Sequence, residues 1–210
     1  MPLNTLGKNE ALDGLGAEIT HVGIGNMTDP GTGANYAGTE AAGGSYARVA
    51  PGWASAASEQ KSNSGQLTFE VPAGDWGFFL YFNASSGNSN NFVGYAPING
   101  TTKGFGTVDS AGATADAIQS AAHGLADGNR VQVFNVLGES LPAGLTEGTV
   151  YYVVSSATDT FELSTTLGGS SVNLTGQGEL YWHKIIPESF GSPGQLVVAA
   201  NQLVLDARVI

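Results

Sequence analysis

The sequence predicts an all-β protein: a jelly-roll-like β-sandwich domain, with a small β-barrel or sandwich domain inserted in a loop near its C-terminal end, and at most one or two short helices. Three observations carry this reading. Apolar and polar residues alternate with a period of two through most of the chain. The 210 residues include 31 glycines and 8 prolines, which mark many turns and suit short strands better than long helices. Only residues 5–17 read as helix. Asn9 or Thr5 can cap that segment, and Leu12 and Leu15 stand three apart. Gly14 and Gly16 weaken it, so about two turns are expected.

The strands follow in order. Residues 18–25 read as the first, and the Gly, Thr, Asn and Pro of 27–44 as a long loop. A short strand is expected at 45–50. In 66–71, Leu67, Phe69 and Val71 share one face and Gln66, Thr68 and Glu70 the other. Pro72-Ala-Gly-Asp is a turn. Trp76-Gly-Phe-Phe-Leu-Tyr-Phe then places Trp76, Phe78, Leu80 and Phe82 on one face and Phe79 and Tyr81 on the other. A strand with aromatics on both faces is covered on both sides, and the second cover is expected to be a partner subunit. Phe79 and Tyr81, with Trp76, are therefore the candidate interface residues. A Ser/Asn/Gly loop at 83–91 and a strand at 92–98 follow.

Residues 99–115 carry little apolar content and read as a linker or long loop. Strands restart at 117–121, 129–135, 149–155, 160–164, 171–174 and 179–184, with short connections, as in a small barrel or sandwich. Its expected core includes Val131, Val133, Tyr152, Val154, Phe161 and Leu163. After Pro187 the texture of the first region returns, with strands at 195–199 and 202–209. The expected organisation is one discontinuous domain of residues 1–104 and 187–210, and an inserted domain of residues 111–184. Insertion in a loop is tolerated because closure entropy grows slowly with loop length.

Composition narrows the function classes. The net charge is −11, and the seven Lys and Arg are scattered singly, so no basic stripe is present to neutralise phosphates or meet an anionic membrane. Only 12% of residues are charged, so much of the polar surface comes from Ser, Thr, Asn, Gln and backbone. No cysteine is present, which removes disulfides, thiolate nucleophiles and Cys-ligated metals. The first residues lack the apolar stretch of a signal peptide, and no apolar run is long enough to cross a bilayer as a helix.

No constellation carries chemistry. His21, His123 and His183 are too dispersed for a local metal motif, and His123 is expected to hydrogen-bond backbone at its turn. No Gly-x-Ser-x-Gly elbow or phosphate-binding Gly-rich loop is present. Glu70, Asp75, Glu139 and Glu179 carry no pairing signal for glycoside hydrolysis. Asp29-Pro-Gly-Thr-Gly-Ala-Asn lacks the repeated acids of a calcium loop. Of Trp53, Trp76 and Trp182, two lie in apolar strands, where packing is expected rather than stacking on sugars. The reading is a non-enzyme with no metal and no cofactor.

Two stretches resemble known families. Thr20-His-Val-Gly-Ile, Asp29-Pro-Gly-Thr-Gly-Ala-Asn, Gly43-Gly-Ser-Tyr-Ala-Arg, Leu67-Thr-Phe-Glu-Val-Pro-Ala-Gly and Glu188-Ser-Phe-Gly-Ser-Pro-Gly-Gln-Leu together resemble a family of small structural proteins of tailed bacteriophages, the minor tail and tail fibre proteins. Ala122-His-Gly-Leu-Ala-Asp-Gly-Asn-Arg-Val, Leu141-Pro-Ala-Gly-Leu, Thr149-Val-Tyr-Tyr-Val-Val and Thr160-Phe-Glu-Leu-Ser are similar to a β module that recurs inside phage tail and fibre proteins. The resemblance implies a virion component assembled in the host bacterial cytoplasm. Its partners would be other copies of itself and other virion proteins, with no nucleic acid and no membrane. Capsid decoration, or binding of a host receptor or surface glycan, is the alternative role. Such families are defined by position in the particle, so no catalytic residue carries over.

Overall fold

A computed structural model describes residues 3–29, 37–87, 90–99, 101–109 and 116–207. One helix and sixteen strands are found among them: α1 (Thr5–Glu18), β1 (His21–Asp29), β2 (Ala37–Glu40), β3 (Gln60–Ser62), β4 (Leu67–Val71), β5 (Gly74–Trp76), β6 (Phe78–Phe82), β7 (Phe92–Pro97), β8 (Thr101–Val108), β9 (Ile118–Gln119), β10 (Arg130–Asn135), β11 (Val150–Val154), β12 (Thr160–Ser164), β13 (Gly178–Ile185), β14 (Glu188–Phe190), β15 (Gly194–Val198) and β16 (Val204–Asp206). The chain is thus mostly β. It divides into two compact units, one of Met1–Asn26, Gly31–Ala96 and Glu188–Ile210, the other of Met27–Pro30 and Pro97–Pro187.

In the first unit, α1 runs for 14 residues, about four turns instead of the expected two. The Asn4 side chain caps it by accepting from the Gly7 N–H. Its stability comes from packing more than from propensity. Gly16 is buried because the Lys61 side chain lies against it, and a Cβ there would fall 2.1 Å from Lys61 Cε. Lys61 Nζ donates to Asp13 Oδ1 at 2.6 Å and to the Ala54 carbonyl at 2.7 Å. Trp53 Nε1 donates to the Ile19 carbonyl, and Lys8 pairs with Glu59. The glycines that looked like helix breakers include one that lets this lysine in.

The strands of this unit form a four-stranded sheet in the order β2-β1-β6-β7 and three antiparallel ladders, β14-β5, β15-β4 and β16-β3. Each late strand adds to an early one. Leu196 stands opposite Phe69, and Leu205 opposite Lys61. The alternation in β4 holds, with Leu67, Phe69 and Val71 all buried. The strand expected at 45–50 is reduced to one bridge, Val49 to Val22, and β2 lies inside the segment expected to be loop. Phe69, Phe78, Leu80 and Phe82 are among the largest fully buried side chains. Burying each contributes about 1.5–3 kcal/mol.

The second unit is a closed barrel in the order β10-β11-β12-β9-β8-β13. β10, β11 and β12 form a meander, and β13 returns beside β10, which is a Greek-key connection. The expected linker at 99–115 is corrected over 101–108, because β8 pairs with β13 through eight residues from Thr101 to Val108, while residues 110–115 lie outside the described residues. Two glycines hid it. A Cβ at Gly104 would fall 2.2 Å from Trp182 Cζ2, and one at Gly106 would fall 2.5 Å from Ile118 Cγ2. The strand gives up its own side chains to make room for those of its neighbours. The main segment of the second unit accordingly begins at Pro97. Val131, Val133, Phe161 and Leu163 join the core, but β11 turns Tyr151 and Val153 inward, not Tyr152 and Val154. Both parities of Tyr-Tyr-Val-Val are apolar, so pairing decides, with Val131 opposite Tyr151. Residues 171–174 form no strand; Val172 N–H reaches the Leu163 carbonyl instead.

Candidate functional site

The aromatic strand offers no contact area of its own. All five residues of β6 are buried, with Phe79 at 6% and Tyr81 at 5% exposure, and Trp76 is buried with its Nε1 donating to the Pro72 carbonyl. The expectation that Phe79 or Tyr81, with Trp76, faces a partner subunit is therefore corrected. β6 is an inner strand between β1 and β7, and its second face is covered from within the unit. Phe79 packs on Phe69 of β4, with ring centroids 6.1 Å apart. Tyr81 helps line a groove of about 320 Å³ with Leu12, Leu15 and Ile19, on or just after α1.

The Tyr81 hydroxyl is buried with no hydrogen-bond partner among the described residues, and burial pushes its pKa up. An orphaned buried hydroxyl costs its desolvation, so Tyr81→Phe is expected to raise stability by about 1 kcal/mol. A thermal or urea melt checks this, and a loss of stability would show that the hydroxyl has a partner.

A charged cluster that the sequence did not reveal locks the same unit. Arg48 donates from Nε to Glu40 Oε1 at 2.8 Å and from Nη2 to Glu40 Oε2 at 2.7 Å. It also donates to the carbonyls of Ala84 and Gly87, and its guanidinium lies 3.3 Å from the Phe82 ring centroid. Tyr46 joins by donating to Glu40 Oε1 and accepting from the Ile24 N–H. Burial pushes the Tyr46 phenol pKa well up. Gly23 leaves room for this network, since a Cβ there would stand 2.9 Å from both Glu40 Oε1 and Tyr46 Oη. Asn91 Nδ2 meets the Gly87 carbonyl as well, so the 83–91 loop is held from inside. The cluster is structural, with its donors directed at one carboxylate and at backbone carbonyls.

Two of the histidines make hydrogen bonds. His123 Nδ1 accepts from the Leu125 N–H and Nε2 lies 3.2 Å from the Thr160 carbonyl, which fixes the Nε2–H tautomer at this turn. His21 lies against Thr20 Oγ1. Among the described residues, no group of three or more His, Asp or Glu is placed to hold a metal ion. The Asp29-Pro-Gly-Thr-Gly-Ala-Asn loop lies beyond Asp29 outside the described residues.

Among the described residues, the exposed aromatics belong to the barrel. Phe105 of β8 and Tyr181 of β13 stand opposite each other, 44% and 45% exposed, with centroids 5.9 Å apart. Phe134 of β10 lies opposite Tyr181 and packs against His183, with centroids 4.6 Å apart and the rings tilted by 42°. Four rings thus cross three adjacent strands. On β13, Leu180 and Trp182 point into the core, which leaves Glu179, Tyr181 and His183 outside. The signal that could have found this strip is the alternation of Gly104-Phe-Gly, legible only once 101–108 is known to be a strand.

Burial, with the Lys103 ammonium close by, holds the His183 imidazole down at about 4, against an ordinary value of 6.5. The unfolded ring takes up a proton near 6.5 and the folded one only near 4, so between these values the unfolded chain binds more protons. The neutral ring's contribution is present above pH 6.5 and is lost as pH falls toward 4. Urea midpoints of the barrel are expected to drop from about pH 7 to about pH 5, and His183→Phe to flatten that slope.

No family model, curated protein or solved structure matches this chain.

Proposed function

We propose that the chain is a structural protein of a tailed bacteriophage particle, as a minor tail, tail fibre or fibre-base component, and that it acts by protein–protein assembly rather than by catalysis. The first unit is read as a jelly-roll-like β-sandwich that anchors the chain, and the barrel as an inserted module that presents a contact surface. The residue resemblances at 20–48, 67–74 and 188–196 motivate the phage reading. The observation that carries the assembly reading is the strip of Phe105, Tyr181, Phe134 and His183 on the outer face of the barrel. Two exposed rings, Phe105 and Tyr181, extended by the half-buried Phe134 and His183, are contact chemistry. The cations Lys8, Arg48 and Lys61 are each engaged with a carboxylate of their own unit, which leaves them little to offer a nucleic acid or an anionic membrane.

The same strip supports a second reading, a host-receptor or glycan-binding module of the particle, because exposed Phe and Tyr rings can stack on sugars. Capsid decoration is the other position open to an assembly protein. The test is a nonsense codon in the gene within a phage genome that encodes this chain. Particles raised in a non-suppressing host are expected to lack the chain and to be incomplete or non-infectious. Normal particles, with no trace of the chain by mass spectrometry in the wild-type virion, would overturn the proposal. Glycan-array binding that is lost in Phe105→Ser would favour the receptor reading.

A further inference from the structure

The outer face of β8 and β13 is charged oppositely at its two ends. On either side of the Phe105–Tyr181 pair, two residues along each strand, stand Glu179 opposite Thr107 and His183 opposite Lys103. Asp109, Glu139 and Glu179 line a shallow pocket at one end. At the other end, Lys103 is followed on the same face by Arg130, opposite Ile185, while Lys184, opposite Thr102 and Val131, lies at that end on the inward-facing parity. These three are all the Lys and Arg of the barrel unit, and none lies toward the acidic end. Two residues of strand span about 6.6 Å, so the charged ends stand about 13 Å apart, further than the ~8 Å Debye length at physiological salt. Each end therefore acts on its own neighbourhood.

We infer that this strip docks on the same strip of a second copy, through a two-fold axis that runs across the strands at the level of the Phe105–Tyr181 pair. This deepens the assembly reading and rests on it. The rotation reverses strand direction while keeping β8 over β8 and β13 over β13. It lays the aromatic middle of one copy on that of the other. It brings Glu179 of each copy over His183 and beside Lys103 of its partner, at both ends at once, as an isologous contact requires. Docking about an axis parallel to the strands would keep the ends in place, and would set acids against acids and cations against cations. The charge pattern thus selects the orientation, and the rings supply the apolar area.

Sedimentation velocity of the full chain over a range of concentrations tests this. The wild type is expected to dimerise, and Phe105→Ser/Tyr181→Ser to weaken the dimer at least tenfold. Lys103→Glu and Glu179→Lys, both at exposed positions, are each expected to weaken it. An equimolar mixture of these two variants is expected to recover dimer. In the mixed dimer the two substituted side chains, now of opposite sign, face each other at one end, while the native Glu179 of one copy faces the native Lys103 of the other at the opposite end. Circular dichroism of each variant separates loss of contact from loss of fold. A wild type that stays monomeric overturns the inference, as does a dimer indifferent to Phe105 and Tyr181 or a mixture no tighter than its components. A monomer in solution that is still found in purified particles would overturn this contact and leave the virion reading standing. A dimer absent from particles would do the reverse.

Discussion

Arg48→Met is expected to destabilise the first unit by about 3 kcal/mol, a large fraction of the stability of a domain this size. The guanidinium is almost entirely buried, with its side chain 2% exposed, and Glu40 is 21% exposed. Removing Arg48 leaves that carboxylate with Tyr46 as its remaining hydrogen-bond partner, and deprives the Ala84 and Gly87 carbonyls of a donor. It also removes the cation from the Phe82 face. The cost comes mainly from the uncompensated partner. Arg48→Met/Glu40→Leu is therefore expected to recover more than half of the loss, since a buried ion pair replaced by apolar groups is often near neutral. Hydrogen exchange resolved along the chain checks this, with the loss confined to amides of the first unit. An Arg48→Met protein that loses less than about 1 kcal/mol would show that the network contributes little.

Trp182→Ala is expected to cost the barrel about 3–5 kcal/mol. Trp182 is 2% exposed, sits edge-on to Phe161 at 6.1 Å and donates from Nε1 to Ser120 Oγ at 3.0 Å. Ser120 Oγ in turn donates to the Phe105 carbonyl at 2.7 Å, so the indole also fixes the backbone of the strand that carries the exposed Phe105. The indole occupies the place where a side chain at residue 104 would begin. A coupled pair follows. Gly104→Ala is expected to cost about 1–3 kcal/mol in the wild type through overpacking, and close to nothing in the Trp182→Ala background. Urea denaturation of the four proteins measures the coupling. Additive costs would mean that Gly104 is not there to admit the indole.

Strands built on clean alternation were legible in the sequence. β4 follows its pattern, and β12 spans Thr160–Ser164 as the alternation indicates. What was not legible has a common physical origin: the deciding partner lies far away in sequence. Gly16, Gly104 and Gly106 read as breakers because the side chains they admit, from Lys61, Trp182 and Ile118, come from other elements. β11 is apolar on both parities, so only its pairing with β10 selects the inward face. β6 announced two covered faces, but not that Phe69 of β4 shares the cover. The Arg48–Glu40 cluster joins residues that carry no shared motif. The exposed strip was missed because its strand β8 was read as linker, so the exposed aromatics were sought on β6 of the first unit.

On the proposed reading, this chain works by being held in an assembly. A cryo-EM reconstruction of the intact particle of a phage that encodes it tests that most directly. Density for both units is expected at a symmetry-repeated position in the tail, fibre or fibre base, with Phe105 and Tyr181 covered by a neighbouring protein. A particle in which every repeated density is accounted for by other proteins, with no place for this chain, would contradict it.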